Sequence, residues 1–314
     1  MQPRSLPRRG RRARFRPHSR RLAILFKTHS SPRLQGTALE SAVQAAMSSA
    51  YVHGYGLGEV QRLQDQAQTL IELLHADTAY QAGATVLEAG CGVGAQTITL
   101  ATRSPGAHFI SIDHSASSLA RVRDAVAALG LSNVSLQLAD IFDLPFAQQS
   151  FDHVFVCFVL EHLARPLHAL WALKGMLKPG GTITMIEGDH GSAYFHPDSD
   201  YARSAIRCLA ALQAQAGGDA MVGRRLFPLL VDAGFSSPQV SPRLVYVDAS
   251  KPALVDGFTR KTFTAMIEGI RREAIEAGLL TRADFDKAIA DLNRTAEPDG
   301  VFCYTFFKAV AVNR

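Results

Sequence analysis

From Thr85 onward, short apolar runs alternate with longer amphipathic stretches. The runs TVLEA (85–89), HFISID (108–113), VSLQLAD (134–140), FDHVFVCFV (151–159) and TITMIEG (182–188) read as strands one to five. They are short, rich in β-branched and aromatic residues, and bounded by turn signals. The stretches between them read as helices. Ahead of the first strand, Glu59–Leu74 places Val60, Leu63, Leu70 and Leu74 on one side. After the second, Ser115 caps a helix carrying Leu119, Val122, Val126 and Leu129, and Gly130 ends it. Pro166 opens another helix that runs to Leu177, and LKPGG (177–181) makes a turn. Strands alternating with helices imply a parallel sheet wound on both faces.

The second half departs from that rhythm. Helices are expected over 200–216 and 224–233, then a strand near 239–247. A long helical block, about 252–295, precedes a last apolar strand, VFCYTFFKAVAV (301–312). A block of that size exceeds what a crossover needs, so it is expected to cap the ligand end of the sheet. Phe258, Phe263, Met266 and Ile270 from the block, with Phe302, Tyr304 and Phe306 from the strand, are candidate walls of an apolar pocket.

Charge divides the chain unevenly. The formal net charge is +5, but residues 1–46 hold eleven Lys/Arg and one acid, Glu40, whereas 47–314 carry a net −5. The basic character therefore belongs to the tail. That segment has no hydrophobic period and is expected to be a disordered tail, with residues 47–314 forming the folded domain and about 251–296 its helical cap. An export-like or transit segment, a nucleic-acid arm, and a start at Met47 are the other readings of the tail. The four cysteines, Cys91, Cys157, Cys208 and Cys303, form no CxxC pair and have apolar settings. That suits reduced thiols in a cytoplasmic protein without structural zinc. No apolar run is long enough to span a membrane.

The chemistry concentrates in VLEAGCGVGAQ (86–96). Glycines 90, 92 and 94 permit positive φ and let main-chain N–H groups approach a ligand. In such sheets ligands bind where loops leave the carboxyl ends of the strands. The spacing fits a dinucleotide site, and Asp113, 23 residues beyond Gly90, ends strand two where an acid can accept from ribose hydroxyls. Three features point away from NAD. Glu88 is awkward beside a pyrophosphate but suits a cationic ligand. Asp140 ends strand three with Ile141 beside it, and LKPGG leads into strand five.

Together these residues resemble the class I S-adenosyl-L-methionine-dependent methyltransferases, closely over about 80–188 and in general layout beyond. The resemblance implies a doubly wound, seven-stranded, mostly parallel α/β sheet of order 3-2-1-4-5-7-6, with the last strand antiparallel. It implies that Glu88, Gly90, Cys91, Gly92 and Gly94 border the amino-acid part of the cofactor S-adenosyl-L-methionine. Asp113, with His114 beside it, would hold the ribose; Asp140 and Ile141 would hold the adenine; Cys157 or Phe158 would lie near the sulfonium. Tyr51, His53 or Tyr55 would fold over the cofactor as part of an N-terminal lid.

The segment EGDHGSAYFHPDSD (187–200) follows strand five and gathers Glu187, Asp189, His190, His196 and Asp198. His190 and Glu187 are the candidates to orient or deprotonate an acceptor. A metal site and a solvated turn are the competing readings, and His162 in VLEHL reads as structural. Methyl transfer to a small molecule is the leading function, with no nucleic acid or membrane expected as partner. A cofactor-binding regulator, a nucleic-acid methyltransferase guided by the tail, and an NAD-dependent oxidoreductase are the alternatives.

Overall fold

The computed structural model describes residues 57–314. The expectations for the basic tail, for Met47 and for Tyr51, His53 and Tyr55 lie outside those residues. Seven strands form one sheet: β1 (Thr85–Ala89), β2 (His108–Asp113), β3 (Val134–Leu138), β4 (Phe151–Cys157), β5 (Leu177–His196), β6 (Ser236–Val247) and β7 (Val301–Val312). Their order is β3-β2-β1-β4-β5-β7-β6. The first five pair in parallel, and β7 runs antiparallel to both β5 and β6. The sheet order is the one the sequence resemblance implies.

Period-two alternation sends neighbouring residues to opposite faces. Val86 and Phe155 face one layer, with Leu70 and Leu74 of helix α1 (Leu57–His75). Leu87, Val154 and Val156 face the other, with Leu170 and Leu173 of the helix over Pro166–Met176. All these side chains are buried. The helix over Ala116–Ala128 begins where expected: Ser118 donates its N–H to Ser115 Oγ at 3.2 Å, and Gly130 turns the chain at φ 63°.

Two elements differ from the sequence expectation. Residues 187–200 were expected as a loop beyond strand five. Instead β5 continues to His196, pairing Thr182–Asp189 with β7, slipping register, and pairing Tyr194–His196 with Val301–Cys303. The twelve-residue β7 is long enough to offer both segments a partner. Ser192 holds the slip: its Oγ donates to Asp189 O at 2.7 Å and accepts from Thr305 N–H at 2.9 Å.

The helical block is also broken rather than continuous. It runs through a wide π-helical segment, Val255–Thr264, then short helices at Ala265–Gly269 and Arg271–Glu276, and a longer one at Arg282–Arg294. The π segment lies against α1. Gly257 allows that approach, because a Cβ there would collide with Thr69 Oγ1. Among the described residues, no helix is long and apolar enough to cross a membrane.

Candidate active site

The carboxyl ends of β1, β2 and β4 open into a cavity of about 480 Å³. The glycine turn forms its floor. Gly90 and Cys91 both donate their N–H groups to Ile112 O at 2.9 Å, which ties the turn to β2. Gly90 and Gly94 take φ of 76° and 81°, and a Cβ on either would strike Val159 at 2.5 Å or Val122 at 2.9 Å. Gly92, at φ 54°, differs: a Cβ there would meet nothing within 4 Å. Its bare side faces open space, as close main-chain approach to a ligand requires.

Asp113 is buried and joins two corners of the site. Its Oδ2 accepts from Gly92 N–H and its Oδ1 from Ser115 N–H, both at 2.8 Å. One carboxylate thus fastens the glycine turn to the start of the next helix. The remaining lone pairs stay available to hydroxyl donors. Across the mouth, Asp140 and Ile141 line the cavity, and Asp140 Oδ1 accepts from Phe142 N–H at 2.9 Å. Strand three stops at Leu138, so Asp140 belongs to the following turn, not to the strand. His114 lines the same region.

Glu88 sits beneath the turn, outside the cavity wall. Its Oε2 accepts from Thr97 Oγ1 at 2.7 Å and Ser111 Oγ at 2.6 Å. Burial pushes its carboxyl up to about 7, against the pull of those hydroxyls. Gly94 likewise packs behind the wall. At the end of β4, Cys157 and Phe158 do face the cavity, and Phe158 adopts a φ of 57°. Such a conformation is costly for an aromatic residue and re-aims the chain at the cavity.

The two acceptor-side candidates separate. His190, in the register slip of β5, lines the cavity. Glu187 does not: its Oε1 accepts from Val159 and Leu160 N–H at 3.0 and 2.8 Å, and its Oε2 is buried without a hydrogen-bond partner. Burial, reinforced by the charge of Glu161, pushes Glu187 up to about 8. Asp189 is held by Arg224 through two contacts of 2.7 Å. Among the described residues no three His, Cys, Asp or Glu side chains converge as a metal site would require.

The sequence reading missed Glu161 and the polar role of Tyr304. Glu161 Oε2 lies 3.4 Å from His190 Nε2, and Tyr304 Oη lies 2.9 Å from His190 Nδ1. Gln213 Nε2 donates to Glu161 Oε2 at 3.2 Å. Burial works to raise Glu161, but His162, His190 and Gln213 outweigh it and hold the carboxyl well below the usual carboxylate range. An acid beside a histidine in the otherwise apolar phrase VLEHL was the available signal. Tyr304 gave none, because it sits in a mostly apolar strand where a tyrosine reads as core. The wall around Tyr304 is aromatic: the rings of Phe258, Phe263 and Phe306 lie 5.8, 5.5 and 4.7 Å from its own, and Phe158 and Met266 continue the lining. Ile270 and Phe302, named with them from the sequence, are buried in the core and stay out of the wall.

Comparisons with known proteins point to one family. A family described as a methyltransferase domain matches residues 81–217. An uncharacterised 37.1 kDa protein of a Streptomyces fradiae transposon is 32% identical over 246 residues, covering 77% of this chain and 68% of that protein. A demethylmenaquinone methyltransferase of Bacillus cytotoxicus is 33% identical over 106 residues, 33% of this chain and 45% of that protein. A crystal structure titled as a putative methyltransferase of Bacillus halodurans shares the fold, with a TM-score of 0.51 at 16% identity over 78% of this chain and 98% of that one. The chain therefore belongs to the class I methyltransferase family that uses S-adenosyl-L-methionine as methyl donor.

Proposed function

We propose that this chain methylates a small, largely apolar molecule. The observation that supports the reading is the continuity of one cavity. It runs from the glycine turn and Asp113 to the aromatic wall of Phe258, Phe263 and Phe306. Donor and acceptor would meet in a single continuous space, which favours alignment.

The residues present fit the donor. The open side of Gly92 admits close main-chain contact, and the Asp113 and Glu161 carboxylates face a cavity that would hold a cation. In this reading the main chain of Gly90, Cys91 and Gly92 borders the amino-acid end, with Glu88 and Gly94 supporting it from behind. Asp113 and His114 take the ribose, and Asp140 and Ile141 take the adenine. Cys157 and Phe158 lie toward the sulfonium, and His190 faces the acceptor. When bound, the donor supplies a methyl group on a good leaving group. The protein's part is then to position the acceptor and, where the acceptor carries a proton, to receive it.

Two measurements test this. Calorimetry with S-adenosylhomocysteine should show binding at about micromolar strength, near −8 kcal/mol. Release of S-adenosylhomocysteine from the methyl donor should then appear with members of a small-molecule panel. Turnover that requires RNA or DNA, or that vanishes on removal of residues 1–46, would assign the acceptor to nucleic acid instead.

A further inference from the structure

We infer that Tyr304, His190 and Glu161 form a proton relay at the cavity wall, and that the acceptor is a neutral, apolar compound presenting a hydroxyl group. This rests on the methyl-transfer reading above and names the acceptor chemistry of the same site. Three separate elements bring the residues together: Glu161 from the turn after β4, His190 from the register slip of β5, and Tyr304 from β7. All three line the cavity, yet each is buried, with exposures of 9%, 7% and 1%.

The hydrogen-bond inventory sets the direction of the relay. A carboxylate only accepts, so His190 Nε2 carries the hydrogen that faces Glu161, across 3.4 Å. His190 Nδ1 is then the acceptor, and Tyr304 Oη donates to it at 2.9 Å. The phenol oxygen, to which the Asp189 main-chain N–H also donates, keeps one lone pair for a donor arriving from the cavity. Gly188 leaves the room it needs, since a Cβ there would collide with Tyr304 Oη.

The step assigned to these residues is a proton transfer. The acceptor O–H bond breaks and its electron pair stays on the acceptor oxygen. That proton joins Tyr304 Oη as the tyrosine's own proton joins His190 Nδ1. The relay ends as neutral tyrosine, imidazolium and carboxylate, with Glu161 beside the new cation. A hydroxyl needs such a base, whereas a neutral amine attacks without one. A carboxylate acceptor would also be repelled by Glu161. The aromatic wall of Phe258, Phe263 and Phe306 suits an apolar frame around that hydroxyl. The other charged or titratable groups facing His190 and Tyr304 are His162, Glu187 and the Asp189–Arg224 pair, with Glu59 and Arg62 of α1 beyond His162.

4-Nitrophenol tests this without turnover, because its ionised form absorbs separately from the neutral one. It is titrated with the protein saturated in S-adenosylhomocysteine. Binding to the wild-type chain should lower the probe's ionisation midpoint by at least one pH unit, a tenfold change in its equilibrium. Tyr304→Phe and His190→Gln should bind the probe but lose the shift, and Glu161→Gln should reduce it. S-adenosylhomocysteine binding in Tyr304→Phe and His190→Gln, and an unchanged circular dichroism spectrum in Glu161→Gln, report an intact fold. A wild-type chain that binds S-adenosylhomocysteine but neither binds nor ionises the probe overturns the relay and leaves the donor site standing. The same holds if the folded variants keep the full shift. Loss of S-adenosylhomocysteine binding by the wild type would instead strike the methyl-transfer reading.

Discussion

At the scale of single residues, the site is built from acids in unlike settings. Asp113 and Glu161 are surrounded by donors, whereas Glu187 has one oxygen satisfied by two N–H groups and the other buried without a partner. Its midpoint in the folded chain, about 8, lies above its ordinary 4.5. The folded state therefore keeps a proton that the unfolded state gives up as pH rises. Stability tied to this group is full below pH 4.5 and is lost progressively toward pH 8. Glu187→Gln keeps the acceptor for Val159 and Leu160 and removes the titration. Relative to wild type, it should gain on the order of 3 kcal/mol between pH 5 and 8. Denaturant unfolding at the two pH values checks this; a constant difference would show that Glu187 ionises normally.

At the scale of elements, the parallel half of the sheet was legible because each strand is short, apolar and bounded by a turn residue or cap. Thr85–Ala89 and His108–Asp113 run between the residues that the pattern indicates. The extension of β5 was not legible. GDHGSAYFH reads as polar and turn-rich, and only a long partner strand, distant in sequence, makes it pair. Local composition carries no record of such a partner. The same holds for the relay, since His190 and Tyr304 lie 114 residues apart. The π-helical segment was likewise hidden, because its width is set by packing on α1. Gly257 is the contact point, and Gly257→Ala would drive a methyl into Thr69. Overpacking of this kind should cost about 1–3 kcal/mol in denaturant unfolding. It should also weaken apolar probes more than S-adenosylhomocysteine, because Phe258 and Phe263 flank the insertion.

At the scale of the whole molecule, the cavity draws on segments spread along the described chain. The turns after β1, β2, β3 and β4, helix α1 and the π segment all contribute to its wall. A ligand filling the donor end adds contacts across pieces that come from distant parts of the chain. At one hundred times its dissociation constant, S-adenosylhomocysteine should therefore add about 2.7 kcal/mol of stability. For a domain of this size that raises the unfolding midpoint by roughly 5–10 °C. Differential scanning calorimetry with and without the ligand checks it; an unmoved transition would mean that the folded state binds nothing there. The negative balance of residues 47–314 is the whole-molecule support for the small uncharged guest proposed above.

The double grip of Asp113 has an evolutionary corollary. Because one side chain anchors the glycine turn, starts the neighbouring helix and, in the proposed reading, takes the ribose, architecture and ligand recognition would share a single mutational target at that corner. Drift in acceptor preference is free to proceed along the aromatic wall, while the donor corner is held by its own scaffolding.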